Sequence, residues 1–343
     1  MPATKTERES RVQPRPRVLL TSMIAAASLA ELQAAFEVAV APDNALATLR
    51  ALVCDAHAIV VRDYLPPDLC EHAPQLIAVA RHGVGLDLIP VDACSAHGVA
   101  VSNVPGGNAN SVVEYCVGAM LNLARKLHRA DRTQRDIGWE AARRLATNGL
   151  ELRGRCAAII GCGAIGSRLA HLLHAGFGMQ IVVATRNAGA VPDFAQHLSI
   201  DQACSRADFL LPCVPATAQT HHMIDARRLA SMRPEAFIVN ASRGDVIDEA
   251  ALTDALRTGR IAGAALDVLE AKVPSADHPL YGLDNVLLTP HIGGHTDDAT
   301  LRNGMQVNAD LRAVFAGRQP GNLINPEIWP HVLQRLGALK LHP

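Results

Sequence analysis

The sequence predicts an α/β protein with two doubly wound parallel sheets, each in its own domain. Three observations support this fold class: the chain has 343 residues, 49% of them are hydrophobic and 19% charged, and short apolar runs alternate with helical patterns twice along it. A chain of this length is too long for one simple core. Alternating strands and helices are typical of a parallel sheet that helices cover on both faces.

The first series of alternating elements starts at residue 18. Predicted strands cover residues 18–20, 58–61, 76–79 and 99–101, and helical patterns cover 29–36, 66–72 and 90–97. A long helical pattern follows over 110–130, and the more charged segment 131–149 predicts an exposed arm or loop. These elements indicate one parallel sheet, followed by a helix long enough to bridge two domains.

The second series is fuller than the first. Its predicted strands cover residues 156–160, 180–184, 208–213, 236–240, 263–266 and 286–288. Six strands with helices between them favour a doubly wound nucleotide-binding domain. We expect the helix predicted over 297–315 to return to the first domain.

Composition argues against several classes of partner. The net charge of −1 gives no attraction to nucleic acid, and aromatic residues, which stack on bases, make up 3% of the chain. No apolar stretch reaches the length of a membrane span, and the eight cysteines show no CxxC spacing. These features predict a cytoplasmic protein with free thiols and with no nucleic acid, membrane or metal as a partner.

A glycine-rich turn joins the first strand of the second series to the helix after it. The turn at 161–166 reads Gly-Cys-Gly-Ala-Ile-Gly and follows the apolar run 157–160. In this setting Gly161 permits a tight turn, Gly163 lets a pyrophosphate approach the backbone, and Gly166 allows the helix to pack closely on the strand. The helix N-terminus adds amide donors. The alternative is a plain tight connection, but the strand before it and the helix after it favour a dinucleotide site.

The end of the next strand favours one dinucleotide over the other. An NAD site usually has a carboxylate at that position, where it binds the ribose 2′-hydroxyl. Here Thr185 occupies the position and Arg186 follows it. A guanidinium binds a 2′-phosphate through paired hydrogen bonds, so NADP is favoured over NAD. The alternative is that Arg186 is a solvated loop residue.

Two polar segments follow later strands. The segment 240–244 reads Asn-Ala-Ser-Arg-Gly, and the segment 289–294 reads Thr-Pro-His-Ile-Gly-Gly. Arg243 supplies a permanent cation that can grip a carboxylate, and His291 supplies an imidazole that can give or take a proton near neutral pH. Reduction of a keto acid uses both groups. Alternatively, Arg243 is a surface or capping residue and His291 caps a strand end.

In this order the motifs resemble the D-isomer-specific 2-hydroxyacid dehydrogenase family, over nearly the whole chain. The matching positions are 81–87, 103–108, Ser111, Glu114, 161–166, Pro215, Thr217, Thr220, 240–244, 264–268 and 289–294. The resemblance implies reduction of a small 2-keto acid to the D-2-hydroxy acid, and the reverse, with a nicotinamide cofactor. Together with Thr185 and Arg186, it leads us to expect NADPH as the favoured cofactor and glyoxylate or hydroxypyruvate as substrates.

The resemblance also implies a domain organisation. After a disordered tail over 1–17, we expect a discontinuous, flavodoxin-like substrate domain over 18–105 and 296–343. A Rossmann cofactor domain is expected over 106–295, with the active site in the cleft between the domains. The resemblance further implies a homodimer.

Residues of the site follow from the same resemblance. Arg243 and His291 are expected to be catalytic, and Val84, Gly85 and Arg62 to bind substrate, although Arg62 is equally well explained as a surface charge. Cofactor-binding positions are expected at Gly161, Gly163, Ala164, Ile165, Gly166, Thr185, Arg186, Pro215, Thr220, Ala241, Ser242, Asp267, Gly293 and Gly294. Of these, Asp267 is expected to hold the nicotinamide carboxamide.

One position departs from the family pattern. The family has a catalytic glutamate five residues after the strand aspartate, where it pairs with the histidine, and this chain has Lys272 there. A lysine near His291 disfavours the imidazolium and leaves the ring without its orienting carboxylate. Three alternatives stay open: a shifted loop lets Glu270 serve, the histidine works unpaired at lower pH, or activity is largely lost.

The last alternative keeps a second class of function open, that of a cofactor-binding regulatory or weakly active family member. Retention of Arg243 and His291 favours an enzyme over a sensor. A phosphite- or formate-type dehydrogenase on the same scaffold is less favoured, because no other residues match those pockets.

Overall fold

The protein folds into two compact units, and the computed structural model describes residues 15–339. Within these residues the first unit combines 15–107 with 297–339, and the second is Asn108–Thr296. Of the tail predicted over 1–17, residues 1–14 lie outside the described residues. Arg17, the last residue of the predicted tail, is instead the first residue of the first strand. The amide of Arg17 donates to His57 Nδ1 at 2.9 Å.

Most strands are short and buried. In chain order they are β1 (Arg17–Leu20), β2 (Glu37–Val40), β3 (Ala58–Val61), β4 (Ala78–Arg81), β5 (Ala100–Ser102), β6 (Cys156–Ile160), β7 (Gln180–Ala184), β8 (Gln196–His197), β9 (Phe209–Pro212), β10 (Phe237–Asn240), β11 (Gly263–Leu266) and β12 (Val286–Leu288).

Helices alternate with these strands. They are α1 (Ala26–Ala35), α2 (Leu46–Val53), α3 (Val91–Ala96), α4 (Ala109–Arg125), α5 (Leu127–Asp136), α6 (Trp139–Arg144), α7 (Ala164–Phe177), α8 (Ile200–Arg206), α9 (Ala226–Ser231), α10 (Glu249–Arg257), α11 (Asp297–Phe315) and α12 (Trp329–Leu339).

The first unit is built on a five-stranded parallel sheet in the order β2-β1-β3-β4-β5. The run Ala-Ile-Val-Val in β3 is buried at every position, as expected for a strand covered on both faces. Side chains of α11, among them Val307, Leu311 and Phe315, join the same apolar cluster as those of β1 and β3. The helix 297–315 therefore belongs to the core of the first unit.

The second unit is built on a seven-stranded parallel sheet in the order β12-β11-β10-β9-β6-β7-β8. From β6 the chain moves outward to β8, then returns to β9 and moves outward the other way. The loops after β6 and β9 therefore diverge, and parallel sheets bind ligands at such a switch point. The α/β fold class with parallel sheets, predicted from the sequence, is confirmed.

The helix predicted over 110–130 is in fact two helices. α4 ends at Arg125 and α5 begins at Leu127, because Lys126 adopts a left-handed conformation with a φ of 55°. A lysine carries no signal for that conformation. The segment 131–149, predicted as an arm or loop, contains the rest of α5 and all of α6.

Four elements were not predicted from the sequence: β2, β8, α2 and α12. β2 and β8 are edge strands of four and two residues, and every residue in them is exposed or half-buried. The helix α2 has eight residues and lies between β2 and β3. Short edge strands bury few side chains, so their periodicity is weak.

Two features are absent from residues 15–339. Within that range no helix combines the length and apolar character that crossing a membrane requires. The same residues contain no group of three or more histidine, cysteine, aspartate or glutamate side chains arranged to hold a metal ion. The eight cysteines are free, and most are buried.

His82 is a buried imidazole that follows β4. Its residue is 5% exposed, and its Nε2 atom would lie 3.5 Å from a Cβ added to Gly304 of α11. Burial, together with the positive charge of Arg62, lowers the pKa of His82 to about 4. The folded protein therefore keeps this imidazole neutral.

We expect His82→Gln to reduce the loss of stability in acid. An unfolded histidine takes up a proton near pH 6.5, whereas folded His82 does so near pH 4. Above pH 6.5 the neutral imidazole makes its full contribution to the free energy of unfolding. As the pH falls from 6.5 toward 4, the protein loses up to about 3 kcal/mol of that free energy. Urea denaturation between pH 7.5 and 4 measures the free energy of unfolding. Wild type and the exposed control variant His331→Gln should lose about 3 kcal/mol more than H82Q; equal losses would contradict the assignment.

Candidate active site

The glycine-rich turn at 161–166 connects β6 to α7 at the switch point of the second unit. Gly161 has a φ of 97°, a value that favours glycine, and a Cβ there would lie 2.7 Å from the carbonyl oxygen of Cys213. A Cβ on Gly166 would collide with the carbonyl oxygen of Gly161. Both glycines are therefore required by the close approach of helix and strand.

Gly163 and the first turn of α7 leave room for an anion. Among residues 15–339, chain neighbours apart, no heavy atom lies within 4 Å of a Cβ placed on Gly163. Within the same range no side chain caps α7, and its first turn has no acidic residue. An open cradle before uncapped amides, those of Ala164 and Ile165, fits the pyrophosphate of a dinucleotide.

The loop after β9 lies beside this turn. Thr220 Oγ1 donates to the carbonyl of Pro215 at 2.7 Å, and the amide of Thr217 donates to Thr220 Oγ1 at 2.8 Å. These bonds fold residues 215–220 into a compact turn. Pro215 and Thr220, both expected at a cofactor site, thus lie in one loop at the switch point.

The loop after β7 carries Thr185 and Arg186. The carbonyl of Thr185 lies 3.0 Å from His197 Nε2, and the Sγ atom of Cys162 donates to the carbonyl of Ala190 at 3.0 Å. These contacts tie the two ends of the loop to β8 and to the glycine-rich turn. Arg186 is exposed between them, so its guanidinium stands on a tethered loop.

Asn240, at the end of β10, shapes the segment that carries Arg243. Its residue is 1% exposed. The Oδ1 atom accepts from the amide and the hydroxyl of Ser242 at 3.0 and 2.7 Å, and Nδ2 donates to the carbonyl of Arg243 at 2.9 Å. Nη1 of Arg243 donates to the carbonyl of Ser242 at 2.7 Å. One buried amide therefore sets the backbone of residues 241–243.

Asp267, which follows β11, shapes the segment that carries His291, and it is 2% exposed. Its Oδ1 accepts from Thr289 Oγ1 at 2.6 Å and from the amide of Ile292 at 2.8 Å. Its Oδ2 accepts from the amide of Gly293 at 2.7 Å. A carboxylate offers about four acceptor positions, so this segment occupies most of them. That Asp267 holds a carboxamide stays a prediction.

His291 stands in this segment in a left-handed conformation, with a φ of 56°. A residue other than glycine seldom adopts it without support from its surroundings. Tyr115 adds support, because its hydroxyl lies 2.7 Å from Thr289 Oγ1. Burial raises the pKa of Tyr115 to about 12, so the phenol stays protonated. His291 is exposed, on a segment that these hydrogen bonds hold in place.

The glycines after His291 are also required by packing. A Cβ on Gly293 would lie 2.9 Å from Asp267 Oδ2, and one on Gly294 would collide with Asn108 Nδ2. A larger residue would therefore not fit at either position without a shift of its neighbours. A cofactor contact at either position stays a prediction.

The segment after β11 places Lys272 and Glu270 in different surroundings. Lys272 is exposed. Glu270 Oε1 accepts from His222 Nε2 at 2.7 Å and from the amide of Glu249 at 3.1 Å. The amide of Glu270 donates to Glu249 Oε2 at 2.9 Å. Glu270 would have to give up these bonds to serve as a partner of His291.

The residues expected to bind substrate lie in the first unit, after β3 and β4. Arg62 directly follows β3, and its Nη1 atom bonds to the carbonyl of Met23 in the loop after β1. Val84 and Gly85 lie in the loop after β4, and Val84 is 38% exposed. The carboxyl ends of β1, β3 and β4 meet at one edge of the sheet.

Each unit therefore gathers its predicted site residues at the carboxyl edge of its own sheet. The residues that support them were not predicted from the sequence; they are Asn240, Tyr115 and the His222–Glu270 pair. A buried asparagine directly after an apolar strand is a signal that could have found Asn240. Nothing in the sequence indicates His222, which also has a left-handed φ of 48°.

Comparison with known proteins places these features in a family. Residues 117–293 match the sequence profile described as D-isomer specific 2-hydroxyacid dehydrogenase, NAD binding domain. The chain is 33% identical to the glyoxylate reductase of Korarchaeum cryptofilum, over 92% of this chain and 97% of that protein. It is 35% identical to the D-3-phosphoglycerate dehydrogenase of Mycobacterium tuberculosis, over 94% of this chain and 63% of that protein. The chain thus spans less than two thirds of that relative's length.

A solved structure agrees with the sequence comparisons. The chain is similar to the NADPH-dependent glyoxylate/hydroxypyruvate reductase of Sinorhizobium meliloti in complex with citrate, with a TM-score of 0.82 and 32% identity over 91% of this chain and 99% of that one. The profile match alone covers more than half of the 343 residues. The chain belongs to the D-isomer-specific 2-hydroxyacid dehydrogenase family.

Proposed function

We propose that the protein catalyses the reduction of a small 2-keto acid to the D-2-hydroxy acid, and the reverse reaction, with NADPH as the favoured cofactor. One observation carries this function. The segments with Arg243 and His291 follow β10 and β12, which flank β11 in the sheet that also carries the glycine-rich turn. Each segment is fixed by a buried side chain, Asn240 or Asp267. A cation, an acid–base group and a dinucleotide cradle therefore share one edge of one sheet.

The proposed reaction divides among four residues. Arg243 binds the substrate carboxylate and polarises the keto oxygen, as a permanent cation with paired donors does. His291 donates a proton to that oxygen during reduction and accepts the hydroxyl proton in the reverse direction. The amides of Val84 and Gly85 are proposed to bind a substrate carboxylate. A bound nicotinamide supplies or accepts the hydride.

The preference for NADPH rests on the loop after β7. Arg186 is exposed beside Thr185, and a guanidinium offers paired donors to a 2′-phosphate. The strand end has no carboxylate that would repel the phosphate. The similar reductase of Sinorhizobium meliloti is named NADPH-dependent, whereas the family profile is that of an NAD binding domain.

Glyoxylate and hydroxypyruvate are the proposed substrates. The relatives named for them align with this chain over at least 97% of their own length. The D-3-phosphoglycerate dehydrogenase relative extends well beyond the aligned region. We also propose a homodimer, as the family resemblance implies, in the cytoplasm, where a reducing environment suits free thiols.

A second candidate function is that of a cofactor-binding regulatory or weakly active family member. Lys272 favours it, because an exposed ammonium stands where the family has a catalytic carboxylate. The bonds of Glu270 to His222 and Glu249 argue against Glu270 as a substitute. The presence of Arg243 and His291 favours the enzyme.

A steady-state panel of small 2-keto acids, assayed with NADPH and NADH in parallel, tests the proposed function. We expect turnover of glyoxylate or hydroxypyruvate, with kcat/KM at least roughly tenfold higher with NADPH, since one charge-assisted hydrogen bond accounts for that factor. Cofactor binding is measured separately by NADPH fluorescence. If both cofactors bind and no acid is reduced, the regulatory function is the correct one.

Lys272→Glu should raise reductase turnover roughly tenfold and move the upper limb of the pH–rate profile upward by about one unit. A carboxylate near His291 favours the protonated ring that donates in reduction and orients it, whereas an ammonium does the opposite. Turnover of glyoxylate from pH 5 to 10 measures both effects. Lys272→Gln is the matched control, because it removes the positive charge without adding a negative one. An unchanged rate and pH profile in K272E would show that this position does not act on His291.

A further inference from the structure

The backbone of residues 82–85, in the loop after β4, has all of its carbonyl groups bound. Their partners, in chain order, are Arg81 Nη1 at 3.1 Å, the amide of Val104 at 2.9 Å, Asn103 Nδ2 at 2.7 Å and Arg81 Nε at 3.0 Å. Arg81 Nη1 also donates to the carbonyl of Val61 at the end of β3, at 2.9 Å. Both partner side chains belong to the first unit, and Asn103 is 8% exposed.

The amides of Val84 and Gly85 are oriented by these bonds. In a trans peptide the N–H points opposite to the carbonyl of the preceding residue. Binding of the Gly83 and Val84 carbonyls on one side therefore turns the amides of Val84 and Gly85 to the other. Within the described residues neither amide donates a hydrogen bond. Two adjacent amides are thus presented together, an arrangement that binds anions.

The guanidinium of Arg81 suits this task better than an ammonium would. It reaches the carbonyls of Val61, His82 and Gly85 from two nitrogens, which requires a rigid planar fork. Gly83 packs against the guanidinium: its φ is 153°, and a Cβ there would lie 3.3 Å from Arg81 Cζ. Gly83, Arg81 and Asn103 together hold the loop in this backbone conformation.

We propose that Arg81 and Asn103 are positioning residues that hold the carbonyls of residues 82–85 inward, so that the amides of Val84 and Gly85 converge on the substrate carboxylate. Neither side chain touches the reacting atoms; each acts through the backbone that it holds. This inference rests on the proposed function, which assigns the substrate carboxylate to these two amides. The experiment therefore distinguishes a failure of that function from a failure of the positioning.

Asn103→Ala and Arg81→Lys test the positioning. Each should raise the KM for glyoxylate and the Ki for oxamate, an unreactive monocarboxylate, roughly 10- to 100-fold, because amides that no longer converge bind a carboxylate weakly. The value of kcat should fall less than about threefold, and the Kd of NADPH should stay unchanged. Two variants are used, so that a failure of one to fold leaves the other as the test.

Two control variants replace another asparagine and another arginine of the first unit, which also bind backbone groups but lie outside the loop after β4. Asn325, 2% exposed, binds the backbone of Val101 and Val99, and Arg335 donates to the carbonyls of His97 and Pro74. Asn325→Ala and Arg335→Lys should lower Tm as much as the test variants do, with KM and Ki at wild-type values. A rise in KM and Ki that is no larger in the test variants than in these controls would overturn the positioning role.

The wild-type protein separates the two hypotheses. If it binds oxamate but reduces no 2-keto acid, the proposed function fails, and weaker oxamate binding by N103A and R81K still supports the positioning. If it reduces 2-keto acids and both variants keep its KM and Ki, the function stands and the positioning is wrong. A wild-type protein that binds no monocarboxylate overturns both.

Discussion

The carboxylate of Asp267 is the interaction on which the candidate active site depends most. It is buried directly after β11 and receives three hydrogen bonds from the segment around His291. Each donor left without its acceptor would cost about 1–3 kcal/mol. The three donors together would cost more than the about 1–3 kcal/mol that a left-handed histidine loses by its conformation, so the segment keeps one shape. The position of the imidazole thus follows from one carboxylate that does no chemistry itself in the proposed reaction.

The same arrangement recurs in both units. A buried polar side chain at or just after the carboxyl end of a strand fixes the backbone of a neighbouring loop, and the groups assigned to chemistry stand outside it. Asn240 serves the segment of Arg243, and Asn103 serves the loop of Val84 and Gly85. The loops therefore lose their conformational freedom on folding, before any ligand binds, and binding does not have to order them.

The sequence predicted the fold class and the residue types of the site because both depend on local patterns. The strands 263–266 and 286–288 have the predicted bounds, since short apolar runs between polar segments are unambiguous. The break at Lys126 was not predictable, because it is a single backbone conformation in a helical pattern. Nor was the bond between His222 and Glu270, which joins residues 48 positions apart. Contacts of this kind depend on the tertiary structure, and they decide whether Glu270 is available as a partner of His291.

Replacement of Asp267 by asparagine tests most directly whether this carboxylate organises the site. The amide has nearly the same size, but it offers one acceptor oxygen and adds two donors, so the amide of Ile292 or of Gly293 loses its partner. We predict a folded protein whose kcat/KM for 2-keto acid reduction is at least roughly 100-fold lower, because a displacement of the imidazole by about 1 Å has an effect of that size. A D267N protein with wild-type kcat/KM would contradict the account.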